Sequence, residues 1–302
     1  MGKVKAWVQA ARLRTLPLSL SGIIVGTALA GMQGFFDISI FVLALFTTIG
    51  FQVTSNFAND YGDGVKGTDN EDRIGPARAL QSGLLTKSAL KKGITISVLA
   101  SMVLAVSLIY LAFGKENLQL VILFFILGIL SVWAAIKYTM GSKPYGYMGL
   151  GDIFVFLFFG LLGVLGSMFL YTKMLSWVFV LPAITIGLLC VGVLNLNNLR
   201  DVESDKKHGK NTLVVKMGFS NGKFYHLFLI TMAFVCLMVF TWIEKINILH
   251  AFYLLSFLPI FAHLSTVMLT QEPVKLDKEL KKLALSTFLL SVLFYLAVNI
   301  FL

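Results

Sequence analysis

Three stretches, residues 94–113, 153–170 and 224–243, contain no Asp, Glu, Lys or Arg. Each approaches the roughly 20 apolar residues that an α-helix needs to cross the hydrocarbon of a bilayer. A water-soluble domain cannot carry several such runs, because a helix that is apolar all round must be buried on every side. Similar runs recur along the chain and predict nine spans, at residues 16–32, 38–57, 94–113, 118–136, 153–170, 174–194, 224–243, 246–269 and 283–302. Composition agrees: 57% of the 302 residues are hydrophobic and 13% charged, and the mean hydropathy of +0.84 lies outside the globular range. With no low-complexity tract and no break in this pattern, the expected fold is all-α and polytopic, a single transmembrane domain over residues 1–302.

A net charge of +10 could suit nucleic acid, but no such partner is expected, because the basic residues mark membrane sidedness. With the N-terminus on the cytoplasmic side, 22 of the 25 Lys and Arg fall on that side, and only Lys115, Lys173 and Lys245 fall opposite. This is the positive-inside distribution of a multi-pass protein of a cell (inner) membrane. Twelve of the 15 acids share that side, all but Asp37, Glu116 and Glu244, which the rule does not require. Carboxylates there must have a use. The first span, with its long basic lead, reads as a retained helix and not a secretory leader. Cys190 and Cys236 fall inside spans, so no disulfide is expected.

Two polar clusters stand where spans meet the cytoplasm. In the first, Asn56, Asp60 and Asp63 share one face of a helix; in the second, Asn197, Asp201 and Asp205 repeat at i, i+4 and i+8. Two such faces meeting would gather four carboxylates, which like-charge repulsion disfavours unless cations neutralise them. Hard divalent ions suit oxygen ligands, and Mg2+ in particular binds a few carboxylates together with substrate phosphates. The four aspartates are therefore the candidate metal ligands and catalytic residues. Asn56, Asn197, Arg73, Arg78, Lys206 and Lys210 are candidates for holding a diphosphate, although topology alone would also account for the basic ones. The loop carrying Tyr138, Lys143 and Tyr145 could receive an aromatic acceptor; anchoring at the membrane interface explains the tyrosines equally well. His226, His250 and His263 lack partners at metal-ligand spacing and read as packing or interfacial residues. Gly22 and Gly26, with Gly160, Gly163 and Gly166, have the spacing of close helix contacts.

These motifs resemble those of the intramembrane aromatic prenyltransferases of the UbiA type. The resemblance is carried by the runs 59–69, with Arg73 and the three residues after it, 145–152 and 197–201, by the stretch from Gly209 to Val215, and by Arg14-Thr-Leu-Pro17 before the first span. It covers nearly the whole chain and is strongest to the branch that acts on 1,4-dihydroxy-2-naphthoate in menaquinone biosynthesis. The broader family often has an aspartate four residues after Asp60, where this chain has Gly64 and the next acid is Asp63. The sharing of metal contacts in the first cluster is left open by that departure.

The resemblance implies about nine helices around a central chamber with a cytoplasmic cap, with Mg2+ as cofactor. It implies polyprenyl diphosphate as donor, an aromatic acid as acceptor, and the bilayer as a partner. Departing diphosphate is stabilised by the metal and the cationic loops, and an electron-rich ring attacks the allylic cation, with loss of CO2 for the naphthoate. Two alternatives stand beside it: a different acceptor such as 4-hydroxybenzoate, and a transporter, since paired polar motifs also occur in alternating-access proteins. Transporters, however, place their charge near the midplane, whereas these aspartates fall near a surface. Single cysteines placed beside Asp60 and Asp201 should label from the cytoplasmic side, and those near Lys115, Lys173 and Lys245 from the other. Labelling of both motifs from outside would overturn the orientation.

Overall fold

The computed structural model describes residues 3–68, 75 and 77–300. Among them are helices and connecting turns but no strand, as hydrocarbon demands, since a helix pairs its backbone polar groups within its own segment. A short helix α1 (Lys3–Ala11) leads into α2 (Leu16–Met32), α3 (Ile38–Lys66), α4 (Lys87–Phe113) and α5 (Leu118–Lys137). The helix α6 (Gly151–Thr172) follows, then α7 (Val180–Arg200), the short α8 (Val202–Lys207) and α9 (Leu213–Met217), and finally α10 (Phe219–Ile243), α11 (Phe257–Leu269) and α12 (Asp277–Ile300). Among the described residues nine segments, built on α2 to α7 and α10 to α12, are long and apolar enough to cross a membrane.

Several helices outlast the spans that hydropathy marks. The α3 helix continues past residue 57 to Lys66 and α7 past 194 to Arg200, while α4, α10 and α12 begin at Lys87, Phe219 and Asp277. Every one of these extensions lies on the side that carries the aspartate motifs. Hydropathy sees only the hydrocarbon-facing part, whereas backbone bonding continues where polar side chains are solvated. The motifs therefore stand on rigid helix ends. At its start α3 is capped by the Asp37 carboxylate, which accepts from the Ser39 and Ile40 amides at 2.7 and 3.3 Å. At its end Gly67 adopts φ +75°, and the Thr68 amide turns back to donate to the Asp63 carbonyl at 3.1 Å, a left-handed stop that suits glycine.

The α2 helix packs against α3, α6, α7 and α12, while α3 lies along α4 and α10 lies along α7. Small residues allow these approaches. A Cβ on Gly26 would collide with the Val164 carbonyl oxygen of α6, and one on Gly160 would sit 2.6 Å from the Gly187 Cα of α7. Helices α2, α3, α4, α5 and α6 together enclose a cavity of about 360 Å³, lined mainly by apolar side chains such as Ile23, Phe51, Ile109, Phe124, Phe158 and Leu162. Its size is that of a small-ligand chamber. Gly26→Leu should lower the midpoint of thermal unfolding in detergent, since overpacking destabilises by about 1–3 kcal/mol, whereas Gly128→Leu, on α5 where nothing lies within 4 Å of an added carbon, should leave it nearly unchanged.

Candidate active site

The last turn of α3, the end of α7 and the start of α8 meet on the motif side. There Asp63, Thr68, Arg78, Asn197, Asp201, Ser204, Asp205 and Lys210 line a small polar cavity of about 30 Å³. The second motif keeps one face although α7 ends at Arg200. The Asp201 amide donates to Asn197 O and the Asp205 amide to Asp201 O at 3.0 and 2.8 Å, so the i, i+4 register runs through the junction. The loop after α8 then folds back, with the Lys210 amide on Asp205 O at 2.8 Å.

Charge in this cavity is finely divided. The Arg200 guanidinium, 3% exposed, forks onto both oxygens of Asp201 at 2.7 and 2.6 Å, and reaches Asn197 Oδ1 at 2.9 Å and Asp277 Oδ1 of α12 at 2.7 Å. Such bidentate pairs fix a carboxylate's orientation and leave its remaining lone pairs open. Burial pushes the Asp205 carboxyl up to about 6; nearby Lys210 opposes this, and Asp201 and Asp63 reinforce it. Burial would lower the Lys210 ammonium, but the Asp63 and Asp205 carboxylates outweigh it and hold its pKa above the ordinary lysine value. Lys210 Nζ lies 3.7 Å from Asp205 Oδ1, while Asp205 Oδ2 is buried with no hydrogen-bond partner among the described residues.

An orphaned carboxylate oxygen facing two further carboxylates is the donor set that a hard divalent cation fits. Among the described residues no three His, Cys, Asp or Glu side chains already form a metal cage. The oxygens share a cavity without closing on one point, which suits an ion that takes its other ligands from phosphate and water.

Not every residue singled out in the sequence falls here. Asp60 is buried, and its carboxylate accepts the Ala79 and Leu80 amides at 3.1 and 3.3 Å, so it organises the loop after α3 and does not line the polar cavity. Asn56 donates to Ala11 O at 2.8 Å and to Thr15 Oγ1 at 3.2 Å, tying α3 to the N-terminal segment. Lys206 and Lys143 are exposed and line neither cavity. Arg73 lies outside the described residues. Tyr138 and Tyr145 do line the apolar chamber. The Tyr145 ring stacks on Phe154 at 3.9 Å, and its hydroxyl donates to Ala134 O at 2.7 Å. Tyr138 senses Lys210, Asp63, Asp152 and Asp205, and burial pushes its hydroxyl up to about 12, so it stands between the chamber and the charged cavity.

Two further residues, Tyr147 and Arg200, bear on the site. The Tyr147 hydroxyl donates to Asp63 Oδ1 at 2.8 Å and shares a 2.6 Å hydrogen bond with Thr68 Oγ1. Its ring lies under Lys66 Nζ at 4.7 Å and Lys210 Nζ at 5.6 Å, and its carbonyl accepts the Asn211 amide at 3.1 Å. Tyr147 thus joins both motifs, while Arg200 joins the second motif to α12. Both lie in runs that carry the family resemblance, Tyr147 in 145–152 and Arg200 in 197–201, and a basic residue at the end of a span, which needs a partner, was a further sign for Arg200. His226 and His263 are buried packing residues, as the sequence suggested, and they also pair with each other. His226 and His263 face each other, Nε2 to Nε2 at 3.0 Å, and His263 Nδ1 meets Glu279 at 2.7 Å, a buried hydrogen-bonded chain across α10, α11 and α12.

A membrane-embedded helical bundle with paired aspartate motifs over an apolar chamber has the architecture of the intramembrane prenyltransferases. The model of the UbiA prenyltransferase family matches residues 19–293, and the chain belongs to that family. It is 45% identical to a 1,4-dihydroxy-2-naphthoate octaprenyltransferase of Haemophilus influenzae, over 99% of this chain and 97% of that one. It is 42% identical to the protein of the same name from Escherichia coli, over 99% and 96%. Its fold is shared with a solved UbiA homolog from Aeropyrum pernix at TM-score 0.72 and 14% identity, covering 93% of this chain and 97% of that one. A UbiA homolog from Archaeoglobus fulgidus, solved with DMAPP and Mg2+, aligns at TM-score 0.67 and 12% identity over 97% and 99%.

Tyr147→Phe removes the donor to Asp63 while keeping the ring. It should weaken divalent-ion binding, read by Mn2+ titration of the purified protein, by about tenfold, the scale of one hydrogen bond to a charged group at about 1.5–3 kcal/mol.

Proposed function

We propose that this protein transfers a polyprenyl group from its diphosphate to 1,4-dihydroxy-2-naphthoate, with release of diphosphate and CO2, giving demethylmenaquinol, the reduced form of demethylmenaquinone. One observation carries the reading. Carboxylates from two helix ends converge beside Arg78 and Lys210 at the mouth of an apolar chamber, in a chain related over nearly its full length to enzymes named for that reaction.

Asp63, Asp201 and Asp205 would hold Mg2+, with Asn197 as a further oxygen donor. When bound, the ion supplies positive charge to the diphosphate oxygens as the leaving group departs. Lys210 and Arg78 bind those oxygens directly, and Arg73 remains a candidate for the same role. Asp60 shapes the loop that carries Arg78. The allylic C–O bond breaks with its electron pair passing to diphosphate. The ring carbon that bears the carboxylate then supplies the pair for the new C–C bond. As CO2 leaves, the pair from its C–C bond returns to the ring, which regains aromaticity. The apolar chamber takes the tail and keeps water from the cation. Its walls contact methylenes without reading them one by one, at about 0.8 kcal/mol for each one buried, so tail length is not written in a motif. The polar cavity opens to the cytoplasm in this reading, the side from which the charged head group arrives.

Asp63→Ala, Asp201→Ala and Asp205→Ala should each lower turnover by orders of magnitude in a folded protein, given that every 1.36 kcal/mol of lost transition-state stabilisation is tenfold. Asp60→Ala should do so through its loop. Near-normal activity in all four at limiting Mg2+ would place the diphosphate site elsewhere.

Purified protein supplied with Mg2+, polyprenyl diphosphate and the naphthoate should form a product lighter by CO2 than the simple adduct. A retained carboxylate, or a preference for 4-hydroxybenzoate, would remove the naphthoate assignment and leave a prenyltransferase of another acceptor.

A further inference from the structure

The chamber is apolar on most of its wall, but one strip is not. Thr48, Gln52, Ser55 and Asn59 of α3 all line it. They fall at i, i+4, i+7 and i+11, on one face of the helix, and the strip runs inward for about 16 Å at 1.5 Å per residue from the turn that carries Asp60.

Much of its hydrogen-bonding capacity is unused. Asn59 Oδ1 accepts from Thr139 Oγ1 at 3.3 Å, which orients the amide and leaves its N–H groups without a partner among the described residues. Gln52 Nε2 contacts Thr15 Oγ1 and Asn56 Oδ1, each at 3.3 Å, leaving its carbonyl oxygen without a partner among the described residues. The hydroxyls of Ser55 and Thr48 make no hydrogen bond among those described, although Thr54, one residue away from Ser55, bonds back to Gly50 O at 2.9 Å. Polar groups without partners in an apolar cavity disfavour the empty state.

An isoprenoid tail has nothing to offer them. The diphosphate belongs with the charged groups of the other cavity. The acceptor alone brings neutral hydroxyls into the chamber, and its 1- and 4-oxygens lie about 5.5 Å apart across the ring, close to the ~5.4 Å pitch of one helical turn.

We infer that Asn59, Ser55 and Gln52 form the subsite that receives the hydroxyl groups of the aromatic acceptor, an inference that rests on the function proposed above. Tyr138, Tyr145 and Phe154 line the same chamber and supply aromatic surface for a bicyclic ring. No Lys or Arg among the described residues lines this chamber, so the acceptor's carboxylate meets no fixed cation there. A salt bridge would stabilise the carboxylate that the reaction must lose. An uncharged strip orients the ring through its hydroxyls and leaves the carboxylate free to depart.

The test uses the full chain in lipid nanodiscs. Equilibrium binding of 1,4-dihydroxy-2-naphthoate and of 1-hydroxy-2-naphthoate, which lacks one hydroxyl, is measured for the wild type, Ser55→Ala and Asn59→Leu, together with KM for both substrates of the reaction. The dihydroxy acid should bind about tenfold more weakly to each variant, with KM for polyprenyl diphosphate unchanged. At least one variant should bind the two acids with nearly equal affinity, because the group that told them apart has gone. Unchanged acceptor binding with a raised KM for the diphosphate would overturn the inference and assign the strip to the donor. Equal loss of both acids in both variants would also overturn it, as damage to the chamber. A wild-type protein that neither binds nor prenylates the naphthoate would overturn the proposed function along with it.

Discussion

Negative charge gathered at the edge of hydrocarbon is the condition on which the rest of this structure depends. Asp63, Asp201 and Asp205 face one cavity, and three like charges so placed repel unless something answers each of them. The answers come from different parts of the chain. Arg200 forks onto Asp201 and anchors to Asp277, Tyr147 donates to Asp63, and Lys210 approaches Asp205. One oxygen of Asp205 is left with no partner among the described residues. In the proposed function that remainder is what a cation and a phosphorylated ligand would answer, since a fully satisfied network would have no reason to bind either.

Below the charge the environment reverses. Glycines bring α2 against α6 and α6 against α7, and the helices that part around them enclose a chamber of mostly apolar side chains. Tyr138 stands at the division, lining the chamber while its hydroxyl feels the lysine and aspartates above. In the proposed function, a substrate with an ionic head and an apolar tail would lie across this arrangement with the bond between them at the boundary. The fold alone does not dictate that chemistry, as any fold can host several; the placement of charge at the mouth and hydrocarbon beneath it does.

The sequence by itself determined the membrane class, the nine spans and the two aspartate clusters, because each rests on local information. Hydrophobic length needs no partner to be read, and residues three or four apart on a helix share a face wherever that helix is packed. Tertiary structure alone decided which of the marked residues reach the cavity. Asp60 and Asp63 are one helical turn apart, yet the former holds the Ala79 and Leu80 amides and the latter faces Asp205 and Lys210. Lys143 and Lys206 lie near the motifs in sequence but are exposed and line neither cavity, while Tyr147 and Arg200 complete the site through contacts 77 to 84 residues distant. The same holds for His226, His263 and Glu279, which meet only when three helices pack. A helical period states which residues point the same way; what stands opposite them is set by helix packing, which brings together segments that carry no trace of one another in their local sequence.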